Sequence, residues 1–244
     1  MILKELLYIL GKTLKTCFVG PYRFKEISDH LYAMSIGSLP IILIATVFAG
    51  IVVTGEIAHH MDLALNTLQM IPGVSGQFIF RELGIIIPSL LLVAKVGAST
   101  TAEVATMKIT DQIDALKLLK IDPVEYLVYP RFVANIISTC CLTLIAIFVT
   151  LTFAIIYAVT SYGFTPTEYL NNLTPFISLT DLLCALVKGV VFGGVMPIIS
   201  CCYGFRCEGG AEGVGLATTN SVVLSTVVII VLDFCITYLF SLII

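Results

Sequence analysis

Charge is what this sequence has least of. Asp, Glu, Lys and Arg make up only 12% of its 244 residues, against roughly one quarter in a soluble domain. That scarcity excludes an ordinary water-soluble globule. The formal net charge of −3 says little, because the distribution of charge matters more than its sum; no nucleic-acid partner is expected. A phosphate-binding loop is missing as well. The Gly-rich stretch Glu208–Gly215 has no Gly-Lys-Ser/Thr ending and no strand signal before it, and no such motif occurs elsewhere. Histidine is scarce: His59-His60 stand together without a carboxylate array, and no Ser-His-Asp order or metal-binding helix motif is present. Eight cysteines do not repair this. Cys201, Cys202 and Cys207 cluster with no histidine near them and in no common zinc spacing, so the cysteines read as small apolar fillers. Residues 1–30 lack the continuous apolar core of a cleavable signal peptide. Enzymatic chemistry therefore has little support in these residues.

What remains is apolar. Hydrophobic residues reach 58% and the mean hydropathy is +1.05. Runs recur that are long enough to cross a bilayer, which takes roughly 20 residues. The expected fold is all-α: one polytopic membrane domain over 1–244, with spans at about 33–58, 77–107, 123–160, 177–204 and 218–243. Leu3, Leu6, Leu7, Leu10, Leu14 and Phe18 recur at helical spacing with lysines between them, so 1–30 is expected to hold a helix lying at the membrane surface. Pro72, Gly73 and Gly76 suggest a loop before the second span. Asp122-Pro123-Val124-Glu125 is a helix start signal, with Asp as cap and Pro at the first position. Pro130 is expected to kink or divide the helix that follows.

Lysine and arginine sort unevenly over this map. Lys4, Lys12, Lys15, Arg23 and Lys25 precede the first span. Lys108, Lys117, Lys120 and Arg131 follow the second, and Arg206 follows the fourth; the loops at 59–76 and 161–176 have none. By the positive-inside rule the amino terminus, the segment after the second span and the Gly-rich connection after the fourth are cytoplasmic. An odd number of spans then puts the carboxyl terminus on the far side.

Some charges are left in the spans: Arg81, Glu82, Lys95, Asp181, Lys188 and Asp233. Such residues are costly in a bilayer and usually face a protein interior or a wet cavity. Arg81-Glu82 reads as a structural ion pair. Lys95 and Lys188 suit an anionic head group in a cavity; snorkelling, or pairing with Asp181 and Asp233, is the other reading. Gly189, Gly193 and Gly194 allow close helix packing around Lys188.

The segment from Glu103 to Asp122 stands out most, being charged and helix-patterned within an oily chain. Met107, Thr110, Ile113, Asp114, Leu116 and Lys117 follow helical spacing, and Asp111 and Asp114 sit three apart. A short cytoplasmic helix between two spans is how transporter permeases commonly dock on a separate ATPase. A membrane-surface helix without a partner fits the composition equally well.

The residues resemble one family. Arg81-Glu-Leu-Gly84, Leu92-Val-Ala-Lys-Val-Gly97, Ala102-Glu103, Thr106-Met107, Thr110-Asp-Gln-Ile-Asp-Ala-Leu116, Asp122-Pro123 and Pro130-Arg131 look like the signature of MlaE-type permeases. Asp181-Leu-Leu183, Lys188, Val191-Phe-Gly193, Cys202-Tyr-Gly204, Gly209–Gly215, Ala217-Thr-Thr219, Val222-Val223 and Leu232-Asp-Phe234 continue it in order. These permeases are membrane subunits of MCE-associated ABC transporters of Gram-negative envelopes. Lys95 stands where the family often has Arg, and Asp111 where Glu is common. Both keep charge, although Lys loses bidentate phosphate geometry.

The resemblance implies a homodimer in the bacterial inner membrane. Each copy would contact a cytoplasmic ABC ATPase through the coupling helix at 103–120, with Glu103, Asp111, Gln112, Asp114 and Leu116 at the contact. A periplasmic MCE-domain lipid-binding protein would sit opposite, and a small cytoplasmic accessory subunit is often present. Phospholipid would occupy a cavity between the two copies, with Lys95 and Lys188 near it. The chain would hold no cofactor or metal of its own, ATP and Mg being bound by the ATPase. The competing expectations are a stand-alone secondary transporter or channel, for which no internal repeat is evident, and a lipid-modifying membrane enzyme.

Overall fold

The computed structural model describes residues 2–19, 23–65 and 68–242. No strand occurs among them. The helices are α1 (Ile2–Val19), α2 (Phe24–Leu65), α3 (Ile71–Ile109), α4 (Gln112–Leu118), α5 (Val124–Tyr162), α6 (Pro166–Leu173), α7 (Leu179–Phe205) and α8 (Gly210–Ser241). Among the described residues, α2, α3, α5, α7 and α8 are long and apolar enough to cross a membrane. The protein is an all-α multi-pass membrane protein.

The chain packs as two compact units. The first comprises Met1–Ser38, Ser89–Thr139 and Val190–Leu232; the second comprises Leu39–Pro88, Cys140–Gly189 and Asp233–Ile244. Of all the lysines and arginines, only Arg81 and Lys188 belong to the second.

In the first unit α1 uses one face for the protein. Ile9, Thr13 and Thr16 are buried, and Leu6, Leu10 and Cys17 pack partly against a core of Val104, Ile113, Leu127, Phe132 and Ile198. Leu3, Leu7 and Leu14 stay exposed beside Lys4 and Lys15. The leucine stripe read from the sequence is therefore two stripes, one packed and one free. Arg23 lies over the Tyr126 ring, 4.3 Å from its centroid, and Ser35 donates to Ser138 at 2.9 Å. These two contacts tie the start of α2 to α5.

In the second unit, α3 begins at Ile71, earlier than the sequence suggested. Proline is tolerated in a first turn, where its missing N–H has no partner to lose. Gly73 and Gly76 make no loop. A Cβ on them would lie 2.3 Å from the Phe176 ring and 2.1 Å from Leu173, so they let α6 and the turn after it close on α3. The polar stretch after α5, read only as a separator, forms α6. Thr165 and Glu168 build a reciprocal capping box. Tyr169 is buried there, its hydroxyl 2.9 Å from Ser75 Oγ.

Pro130 does not divide α5. The turn before it, Val124–Val128, widens to π geometry and the helix continues to Tyr162. A π turn relaxes the ladder into which proline cannot donate. The cap at Asp122 is present, its Oδ1 accepting the Val124 N–H at 3.0 Å.

Candidate functional site

Two π turns interrupt α3, and each carries membrane charges. π turns widen a helix locally and redirect its side chains. The turn Ile79–Leu83 holds Arg81 and Glu82 in the second unit, while Val93–Gly97 holds Lys95 in the first.

Around the first turn, Lys188 of α7 is completely buried. Its ammonium donates to the Arg81 carbonyl at 2.6 Å and to Glu82 Oε1 at 3.4 Å. Asp233 Oδ1 lies 2.7 Å away as an ion pair, off the alignment of a hydrogen bond. Thr237 completes the Glu82 side, donating to Oε1 at 3.0 Å. Arg81 pairs with Asp181 at 2.6 Å instead of with its neighbour Glu82. The other Asp181 oxygen accepts from Ser178 N at 2.9 Å and Ser178 Oγ at 3.0 Å. The Arg81–Glu82 pair read from the sequence is thus corrected to Arg81–Asp181 and Lys188–Glu82–Asp233. Adjacent residues on a helix do not face each other, so each finds a partner on another helix. Lys188, expected at the lipid cavity, is enclosed by this network and offers no open surface.

Lys95 is exposed and donates to the Gly37 carbonyl. It lines a cavity of about 110 Å³ together with His30, Ala33, Met34, Ser99 and Glu103. Glu103 pairs with buried Arg131 at 3.1 Å, and Arg131 also donates to the Leu127 carbonyl at 2.9 Å. Glu103, expected at the ATPase contact, is therefore held beside Lys95 in the wall of this cavity.

The segment read as one amphipathic helix over 103–120 is broken. Helix α3 ends at Ile109, and Asp111 adopts a left-handed backbone with φ of 57°. Asp tolerates that region better than most residues. The short α4 follows and stops at a second left-handed residue, Lys120, with φ of 58°; the Ile121 N–H closes back on the Leu116 carbonyl at 2.9 Å. Ile113 is buried and Leu116 packs against the same core. Asp111 and Gln112 are exposed, whereas Asp114 is tied to Lys117 at 2.8 Å and to Lys108 at 3.3 Å. Lys117, then Lys108, hold the Asp114 carboxyl below its usual 3.8. The sequence reading set Leu119 on the turn after Ile113 and Leu116 and passed over Leu118; the two are 70% and 85% exposed. Helix α4 ends at Leu118, so the helical spacing that aligns Leu119 with Leu116 does not carry it into the core.

Helix α1 is held to this region by an ion pair between Lys12 and Asp122. Burial disfavours both charges, but each stabilises the other, so Asp122 is lowered below 3.8 and Lys12 raised above 10.5. A lowered carboxyl adds stability above its unfolded value and loses it as pH falls through the folded one; a raised ammonium adds stability below 10.5 and loses it as pH rises. Hydrogen exchange of α1 should therefore stay flat from about pH 5 to 9 after correction for intrinsic rates, and speed up only at the extremes. A loss of protection inside that window would contradict the pairing.

Among the described residues, no three His, Cys, Asp or Glu side chains gather as metal ligands, and the cysteines are free.

Known proteins match along most of the chain. The family model described as Permease MlaE matches residues 27–239. A probable ABC transporter permease protein of Rickettsia typhi is 36% identical over 224 residues, covering 90% of this chain and 84% of its own. One of Synechocystis sp. is 35% identical over 232 residues, covering 95% and 88%, and one of Pyropia yezoensis is 33% identical over 210 residues, covering 86% and 80%. On these matches the chain belongs to the MlaE permease family and is the permease subunit of an ABC transporter.

Proposed function

We propose that this permease moves phospholipid between the bacterial inner membrane and a periplasmic MCE-domain carrier. It works as two copies on a cytoplasmic ABC ATPase that binds the ATP and Mg, with a small cytoplasmic accessory subunit in some assemblies. Extracting a two-chain lipid is costly, at about 0.8 kcal/mol for each methylene leaving an apolar environment, which gives the ATPase its purpose. The amino terminus lies in the cytoplasm and the carboxyl terminus in the periplasm. The restriction of every lysine and arginine except Arg81 and Lys188 to one unit supports this orientation.

The observation that carries the lipid reading is the cavity at Lys95. At about 110 Å³ it admits a phosphate group and little more, and a cation, a histidine and hydroxyls line it beside Ala33 and Met34. A head group would dock there while its acyl chains stay on apolar helix faces. Asp111, Gln112 and Asp114, with the leucines beside them, form the ATPase contact. Lys188, Glu82 and Asp233 brace the helices that shape the path.

The test is lipid transfer by the reconstituted complex. Lys95→Ala should slow transfer roughly tenfold, the worth of one hydrogen bond to a charged group, with the ATPase still bound. Lys95→Arg should retain most of the activity. Unchanged transfer by Lys95→Ala would remove Lys95 from the lipid path.

A further inference from the structure

A basic cavity of the first unit has no part in that reading. It measures about 320 Å³ and is lined by Tyr8 and Lys12 of α1, Lys108 of α3, Lys117 of α4, Asp122, and Phe205 at the end of α7. Ligand sites usually begin near 300 Å³. Three ammonium groups thus converge from three helices on a space bordered by one lining carboxylate. Their contacts leave donors over: Lys12 meets Asp122 and, at 3.4 Å, the Tyr8 hydroxyl, while Lys108 and Lys117 share the single carboxylate of Asp114. An ammonium has three N–H groups, so each can still bind an anion. The floor is apolar, with Ile113, Val124 and Phe205.

We infer that this cavity binds the phosphate of an anionic phospholipid from the leaflet on which α1 lies. The ligand chemistry is that of a phosphate group, and α1 decides its source. The helix packs one face on the protein and leaves Leu3, Leu7 and Leu14 exposed beside Lys4 and Lys15, the pattern of a helix seated in a membrane interface. Tyr8, whose ring is also exposed, stands at the rim, where an aromatic belt would sit. A basic pocket at that depth recognises anionic head groups. A bound phosphate would compete with Asp114 for Lys108 and Lys117. Lipid composition would then act on α4, the helix placed at the ATPase on the reading above, through a site separate from the transported lipid.

The experiment reads lipid retained by the full chain. The protein is extracted from vesicles of phosphatidylcholine mixed with phosphatidylglycerol, and bound lipid is identified by native mass spectrometry. Phosphatidylglycerol should be enriched over phosphatidylcholine. Lys108→Gln with Lys117→Gln, which leaves the Lys12–Asp122 pair in place, should weaken retention roughly fivefold per lysine. Arginine at both positions should preserve it. Lys4→Gln with Lys15→Gln, outside the cavity, should have no effect; in a Lys95→Ala background, where lipid held at Lys95 is already lost, the Lys108/Lys117 double variant should cause the same further loss, so this inference and the transport reading fail separately. Equal loss with the Lys4/Lys15 pair would mean general surface attraction and would overturn the site. Displacement by millimolar inorganic phosphate would reassign it to a soluble anion and overturn the lipid source. Equal retention of the two lipids would overturn both.

Discussion

Lys188→Met is expected to destabilise the permease by about 3–5 kcal/mol, because it leaves two carboxylates without their cation. Lys188 is wholly buried, and its ammonium is the positive charge facing Glu82 and Asp233. Arg81 cannot replace it, being engaged with Asp181. For a chain of this length the loss corresponds to a fall in thermal midpoint of roughly 6–20 °C. Removing the stranded charges should reverse most of that. The combination of Lys188→Met, Glu82→Gln and Asp233→Asn is expected to be more stable than Lys188→Met alone, since a neutral set escapes the uncompensated-charge penalty. Thermal unfolding of the wild type, the three single variants and the triple variant in one detergent is the measurement. Additive losses across the three substitutions would show that the carboxylates do not depend on Lys188. Lipid transfer by the neutral triple variant then separates bracing from function: if the network only braces, transfer recovers together with stability.

This network also marks how far the sequence could be read. Which residues carried buried charge was plain, because Arg81, Glu82, Asp181, Lys188 and Asp233 interrupt apolar runs. Who pairs with whom was not. Partner choice depends on helix rotation, and a π turn at Ile79–Leu83 shifts that rotation without any proline or glycine of its own to announce it. Boundaries failed for similar reasons. Gly73 and Gly76 look like loop residues until Phe176 and Leu173 are seen to need their missing Cβ atoms. Helix α6 was overlooked although Thr165, Pro166 and Glu168 spell a capping box, because its buried anchors, Tyr169 and Leu173, only acquire meaning against Ser75 and Gly76. The break at Asp111 was the least visible of all. An aspartate suits a left-handed turn, but helical spacing continues through it, and periodicity alone reads straight across.

That break decides the second large effect. By turning the chain at Asp111, the structure buries Ile113, packs Leu116 inward and leaves Leu118 and Leu119 as the exposed apolar tip of α4. Exposed pairs of leucines between lysines are costly unless something covers them, and the ATPase is the cover proposed for them. Leu118→Asp with Leu119→Asp is expected to weaken ATPase binding on the order of a hundredfold or more, since burying one leucine is worth about 1.5–3 kcal/mol. The permease itself should keep its thermal midpoint, because neither side chain contributes to its core. Reversing charge with Asp111→Lys should do less. An exposed ion pair is worth about 0–1 kcal/mol, and its loss should appear mainly as a slower, salt-dependent association. Asp114→Lys is less clean, since Asp114 also holds Lys108 and Lys117 and its reversal disturbs the turn. Co-purification and lipid-stimulated ATP turnover, measured for the leucine pair and for Asp111→Lys at two salt concentrations, test the ranking. If the Asp111 variant loses the ATPase while the leucine pair keeps it, the contact lies on the acidic start of α4 and the apolar tip is not the docking point.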